Sequence, residues 1–166
     1  MLENTAAKIE AFLEYSGRLL GILPLLLILV QFTVVLTVYV FSSGNIQLQE
    51  SLQYINALMF LGGAGYTAVR NEHVRVDIFY SRFSKANQAR VDFFGTVFLL
   101  IPFLILFWAT SLPYVTGSWA ILEKSVESSG LPFVYILKAT LLLFALTLSL
   151  HAVLCLIRTF KSMRSS

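Results

Sequence analysis

The chain has 166 residues, 57% of them hydrophobic and 13% charged, with a mean hydropathy of +0.78. Soluble domains sit nearer about 45–50% apolar and about 25% charged, so this composition excludes an ordinary soluble domain and makes a bilayer the natural solvent. The net charge of +3 does not indicate a nucleic-acid binder, because five of the twelve basic residues fall in one loop and most others near the termini, a topology signal rather than a phosphate-tracking face.

At the start, Leu2, Ala6, Ile9 and Leu13 recur at helical spacing with Glu3, Glu10 and Glu14 between them. This predicts a short amphipathic N-terminal helix, lying on the membrane surface or against a partner. The first apolar run, residues 19–41, is uncharged and has Gln31 as its one strongly polar member. At about 1.5 Å per residue it exceeds the roughly 30 Å hydrocarbon core. A signal-peptide core is only about 7–15 residues long and follows a basic segment; here acidic residues precede the run, so it reads as an uncleaved first span. The second run, residues 52–69, is about one minimal span and contains Asn56. It also carries a small-residue patch of Gly62, Gly63, Ala64, Gly65 and Ala68.

The basic loop follows, with Arg70, Arg75, Arg82, Lys85 and Arg90. Ser84 is placed to cap a helix that carries Arg90 and Asp92 into the third run, residues 93–112, which has Pro102 inside. Tyr114 and Trp119 fall just past this run, where an aromatic belt is expected. Gly130, Leu131 and Pro132 look like a helix start, with proline tolerated in the first turn. The fourth span is predicted over about 133–157, with Lys138 snorkelling from its outer half and His151 near its inner end.

Ten Lys and Arg residues lie at the termini and in the loop between spans two and three, against Lys124 alone on the other side. This bias predicts cytoplasmic N and C termini. The expected fold is an all-α integral membrane protein, one four-helix domain over residues 1–166 with spans about 19–41, 52–69, 93–112 and 133–157.

Signs of chemistry are few. Cys155 is the only cysteine, so no intrachain disulfide exists and no Cys/His cluster suggests a metal site. His151 reads as a polar residue packed between helices, and His73 lies in a loop, which leaves no facing pair for haem. Gln31 and Asn56 read as hydrogen-bonding glue between helices. No span carries a central carboxylate, Glu50 being at the edge of the second. Nucleophilic triads, phosphate loops and zinc spacings are absent, so catalysis and cofactors are not expected. Small-residue pairs stand out instead, Gly17 with Gly21 and Ala64 with Ala68, because such spacing lets helices approach closely in lipid.

The stretch 70–83 resembles the signature of the small permease subunit of TRAP transporters, the DctQ-type family. A glycine-rich second helix (Gly62, Gly63, Gly65) ends in Arg70, followed by His73, Val74, Val76 and Asp77 in a His-Val-x-Val-Asp core. The similarity runs from about residue 47 to 142, through Asp92 to Gly95, Ser118, Trp119, Glu123, Ser125, Gly130 to Pro132, Tyr135 and Lys138. Ser129 departs from the pattern, where a second glycine is expected. The resemblance implies a subunit without cofactors in the bacterial inner membrane, partnered by a large multi-span permease and a periplasmic substrate-binding protein. It further implies organic-acid uptake driven by an ion gradient, commonly sodium, with the small subunit bracing the large one among membrane lipids. Gly62, Gly63, Gly65, Arg70, His73, Asp77, Trp119, Glu123 and Lys138 are the signature residues and candidate partner contacts.

Two other classes compete. A small glutathione-using membrane enzyme would need arginines inside the bundle, and this chain keeps them outside. A self-assembling small exporter would need the missing central carboxylate.

Overall fold

The computed structural model describes residues 2–70 and 80–164, and every described element is helical. In chain order these are α1 (Leu2–Leu20), α2 (Leu23–Tyr39), α3 (Ile46–Val69), α4 (Lys85–Gly95), α5 (Ile101–Ala120) and α6 (Val134–Arg164). A single 3₁₀ turn, Tyr80–Arg82, precedes α4, and a π-helical turn, Thr96–Leu100, joins α4 to α5. Three stretches are long and apolar enough to cross a membrane: Glu3–Tyr39, Asn87–Ala120 and Val134–Lys161. The glycines, amides and tyrosines of α3 keep it below that threshold, although it is 24 residues long.

Local chemistry explains the breaks. The first helical stretch pauses at Gly21 and Ile22, just ahead of Pro24, which has no N–H to bond the preceding turn. Asn45 caps α3, its side chain accepting from the Leu48 N–H at 2.9 Å, and Ser84 caps α4 by accepting from the Asn87 N–H at 3.4 Å. The π turn sits just before Pro102, where the Ile101 N–H reaches back to the Thr96 carbonyl. The third helix does not stop at Leu112. It runs through Pro113 to Ala120, so Tyr114 and Trp119 stand on the helix rather than beyond it. A kinking residue is not a terminator in an apolar setting, where no water is available to take over the freed carbonyls. Pro132 lies just outside α6, which begins at Val134.

α3 and α6 form the central pair; α1 lies across both, α5 and α4 flank α6, and α2 leans chiefly on α3. Along α5 the buried positions are Leu104, Ser111, Val115 and Ser118, a stripe of mostly small residues that brings its backbone close to α6. Trp108 Nε1 donates to Ser149 Oγ at 3.1 Å across this seam, and Thr96 Oγ1 lies 3.2 Å from Cys155 Sγ nearer the terminal end.

The amphipathic helix finds its receiver within the chain. Ala6 and Leu13 of α1 are buried with Val69 and Leu154, with Ile9, Leu150 and Ile157 packed around them. The acidic stripe beside that face meets the basic ends of its neighbours. Glu3 pairs with Lys161, Glu10 with Arg158 at 2.5 Å, and Glu14 with Arg70 at 3.7 Å as well as with Arg18 of its own helix at 3.4 Å. Exposed pairs of this kind contribute little singly, but three points of contact fix the register of α1. Arg158→Glu is expected to loosen α1 and lower stability by about 0.5–1 kcal/mol. Adding Glu10→Arg should restore it, as read from amide hydrogen exchange along α1; equal exchange in both variants would count against the clamp.

Candidate functional site

The end of the bundle remote from the termini holds a polar constellation that joins α3, α5, α6 and the loop between the last two. After Ala120 the chain reverses at Leu122, whose φ of 46° is left-handed, a conformation costing a non-glycine residue about 1 kcal/mol. The turn is held by the Leu122 N–H to the Trp119 carbonyl at 3.2 Å and the Glu123 N–H to the Ser118 carbonyl at 3.0 Å. This reversal aims Glu123 at α6, where Lys138 Nζ donates to its carboxylate at 2.5 Å. The same ammonium stands 4.2 Å from the centroid of the Tyr114 ring, within cation–π range. Trp119 meets Tyr135 edge to face at 4.9 Å. Trp119, Glu123 and Lys138, three of the signature residues, therefore form one cluster joining α5, the loop and α6.

A second knot ties this loop to α3. Glu50, in the first turns of α3, accepts from the Ser125 hydroxyl through one carboxylate oxygen and from the Leu131 N–H at 2.6 Å through the other. Ser125 N–H in turn donates to the Leu131 carbonyl at 3.2 Å, closing the loop on itself. Gly130 fits because a Cβ there would strike the Ser125 side chain and come within 2.6 Å of Glu50 Oε1. The donors surrounding each carboxylate stabilise its charged form. Glu50 is held below the usual carboxylate range first by the Ser125 hydrogen bond and then by the Leu131 N–H. Glu123 is lowered first by its bond from Lys138 and then by the Ser118 hydroxyl. With their oxygens engaged inside the chain, these carboxylates stiffen the loop rather than form a reactive centre. Among the described residues no group of His, Cys, Asp and Glu could hold a metal ion.

The other singled-out residues are dispersed. Gly62 and Gly65 are buried on the α3 face toward α1 and α6, whereas Gly63 points to open space. Gly17 packs against the Tyr66 ring, while Gly21 meets only its own helix. Arg70 sits at the terminal end, 5.5 Å from the Tyr66 ring centroid, and pairs with Glu14 of α1 at 3.7 Å. His73 and Asp77 lie outside the described residues, as do Glu72 and Arg75 with their expected local ion pairs. His151 borders a cavity of about 130 Å³ with Asp92, Cys155 and Arg158. Gln31 and Asn56 share one groove but make no hydrogen bond to each other.

Sequence reasoning missed the Glu50 knot. Its one available signal was an acidic residue at the edge of an otherwise uncharged run, opposite a loop containing Ser125 and a Gly-Leu-Pro sequence. Nothing local joins residues so far apart in the chain.

Residues 27–162 match the family model described as tripartite ATP-independent periplasmic transporters, DctQ component. No curated protein and no solved structure matches the chain.

Proposed function

Because this chain belongs to the DctQ family, the DctQ component of tripartite ATP-independent periplasmic transporters, we propose that it braces a large permease subunit during organic-acid uptake driven by an ion gradient, sodium being the ion expected. The family is a transporter component and not an enzyme, so the membrane-enzyme reading falls away. The observation that carries the bracing role is that the helices are tied together at both ends: the acidic stripe of α1 clamps the terminal end, and the Glu50 and Glu123 knots clamp the loop end. A subunit that resists the motion of its partner needs such stiffness.

Four spans with both termini in the cytoplasm suit this role. α3 is the least apolar of the four, yet α1, α2 and α6 surround much of it, so its polar residues need not all meet lipid. Lys8, Arg18, Arg70, Arg82, Lys85, Arg90, Arg158 and Lys161 belong to the elements that gather at the terminal end, which supports a cytoplasmic assignment for that end. The loop end, with Trp119 and Tyr114, would then face the periplasm of a bacterial inner membrane and the substrate-binding protein.

Detergent extraction of the tagged chain from native membranes should recover a polytopic permease at near-equal stoichiometry, identified by mass. Recovery of the chain alone, or only as a homo-oligomer, would overturn the reading.

A further inference from the structure

We infer that the groove between α2 and α3 is the seat of a transmembrane helix of the large permease, one presenting hydrogen-bonding side chains to Gln31, Gln53 and Asn56; this rests on the function proposed above and adds where the partner docks. Gln31 is at the midpoint of α2, and Asn56 and Gln53 lie beside it on α3, lining a groove of about 600 Å³. All three amides are exposed, and none hydrogen-bonds another described residue. The remaining wall is apolar, built from Ile28, Phe32 and Val35 of α2 with Leu52 of α3.

An amide at this depth has few partners to choose from. Acyl chains offer no donor or acceptor, and the apolar walls give water nothing else to bond. Polar groups in a hydrocarbon setting persist where protein satisfies them. A partner that reaches this depth within lipid has to be a helix, since only a helix brings its own backbone already satisfied. α2 itself is short of neighbours: none of its residues is buried, and it leans chiefly on α3. The groove between α5 and α6 behaves differently. Its walls include Ile101, Ile105 and Val153, and its two polar side chains, Trp108 and Ser149, bond each other. That surface suits acyl chains as it stands, and the α2–α3 groove does not.

Two measurements on the intact transporter test the inference. In the first, Phe32→benzoylphenylalanine is photolysed in native membranes, with Ile105→benzoylphenylalanine as the comparison. An adduct of this chain with the polytopic permease from position 32, and none from position 105, is expected. In the second, Gln31→Leu and Asn56→Leu are combined. Both replacements make the helices more apolar, so insertion should be undiminished while recovery of the permease falls about tenfold. The inference is overturned by undiminished recovery, or by a position-32 adduct formed only with lipid or with a second copy of this chain. If the unsubstituted chain recovers no permease, the proposed function fails and the groove assignment with it. Permease recovered without a position-32 adduct sinks the groove alone.

Discussion

Gly65→Ala should destabilise the bundle by about 1–3 kcal/mol, and Gly65→Leu by more, because there is no room for a side chain where α3 crosses α6. A Cβ at this position would lie 2.7 Å from Thr147 Cβ, 3.0 Å from the Thr147 carbonyl oxygen and 3.0 Å from Leu13 Cδ2. The leucine tip could rotate away, but the carbonyl belongs to the α6 backbone and cannot. Relief therefore requires α3 and α6 to separate, which also pulls Leu13 from the cluster it shares with Val69 and Leu154. Gly62 is a milder case. Its Cβ would meet Leu20 Cδ1 at 2.9 Å and Leu143 Cδ2 at 3.2 Å, both ends of flexible side chains. Gly63 has nothing within 4 Å, so Gly63→Ala should gain about 0.5–1 kcal/mol from helix propensity. Thermal unfolding in one detergent is expected to rank the alanine variants Gly63, then Gly62, then Gly65 from most to least stable. Equal midpoints for the Gly63 and Gly65 variants would show that the helices are not in close contact there.

This ranking also shows what could be read before the fold was known. A glycine-rich run in an apolar segment announces close approach, but the contacting face depends on which neighbour covers the helix. Gly62 and Gly65 are three residues apart and share a face; Gly63 is turned about 100° away from Gly62. The amphipathic stripe of α1 was equally visible, as were the acids beside it. A stripe specifies that something covers it without naming the cover, and here α3 and α6 of the same chain do so. Arg70 illustrates the same gap. Its pairing with Glu14 of α1 joins residues far apart in the chain, which no local pattern announces. Helix ends were legible where capping chemistry is local, as at Ser84. The apolar run ends at Leu112, short of the helix, which continues through Pro113 to Ala120 with Val115 and the small polar Ser118 on its buried side. Glu123 was singled out by resemblance, and Trp119 and Lys138 also by their place at the outer end of a span; their joining depends on the reversal at Leu122, which no residue preference announces.

Glu50→Ala is expected to release the 121–133 connection while leaving the helices intact. Trypsin cleavage after Lys124, in detergent at neutral pH, should be on the order of tenfold faster, since cleavage follows the population of the opened loop. The reasoning begins with the two groups that Glu50 satisfies. Without its carboxylate the Ser125 hydroxyl and the Leu131 N–H lose their acceptor and the loop loses its tie to α3, which leaves the Ser125–Leu131 backbone bond and the Glu123–Lys138 pair to hold it. Glu50→Gln should be intermediate, because its amide oxygen can replace one acceptor while its NH₂ sets a donor against the other. The pH dependence has a definite sign. Glu50 and Glu123 are both held below the ordinary carboxylate value, so their contribution to loop order is complete above that value and is lost as pH falls through the lower folded one. The loop of the unsubstituted chain should thus stay closed at neutral pH and open only on acidification below the usual carboxylate range. Amide exchange at Leu131, corrected for its intrinsic pH dependence, reads this directly. In Glu50→Ala the amide should exchange fast already at neutral pH, and what pH dependence survives should come from Glu123 and disappear with Glu123→Gln. Slow exchange at Leu131 in Glu50→Ala would mean that the turn holds itself, and the stiffness assigned to this end of the bundle would then rest on Glu123 and Lys138 alone.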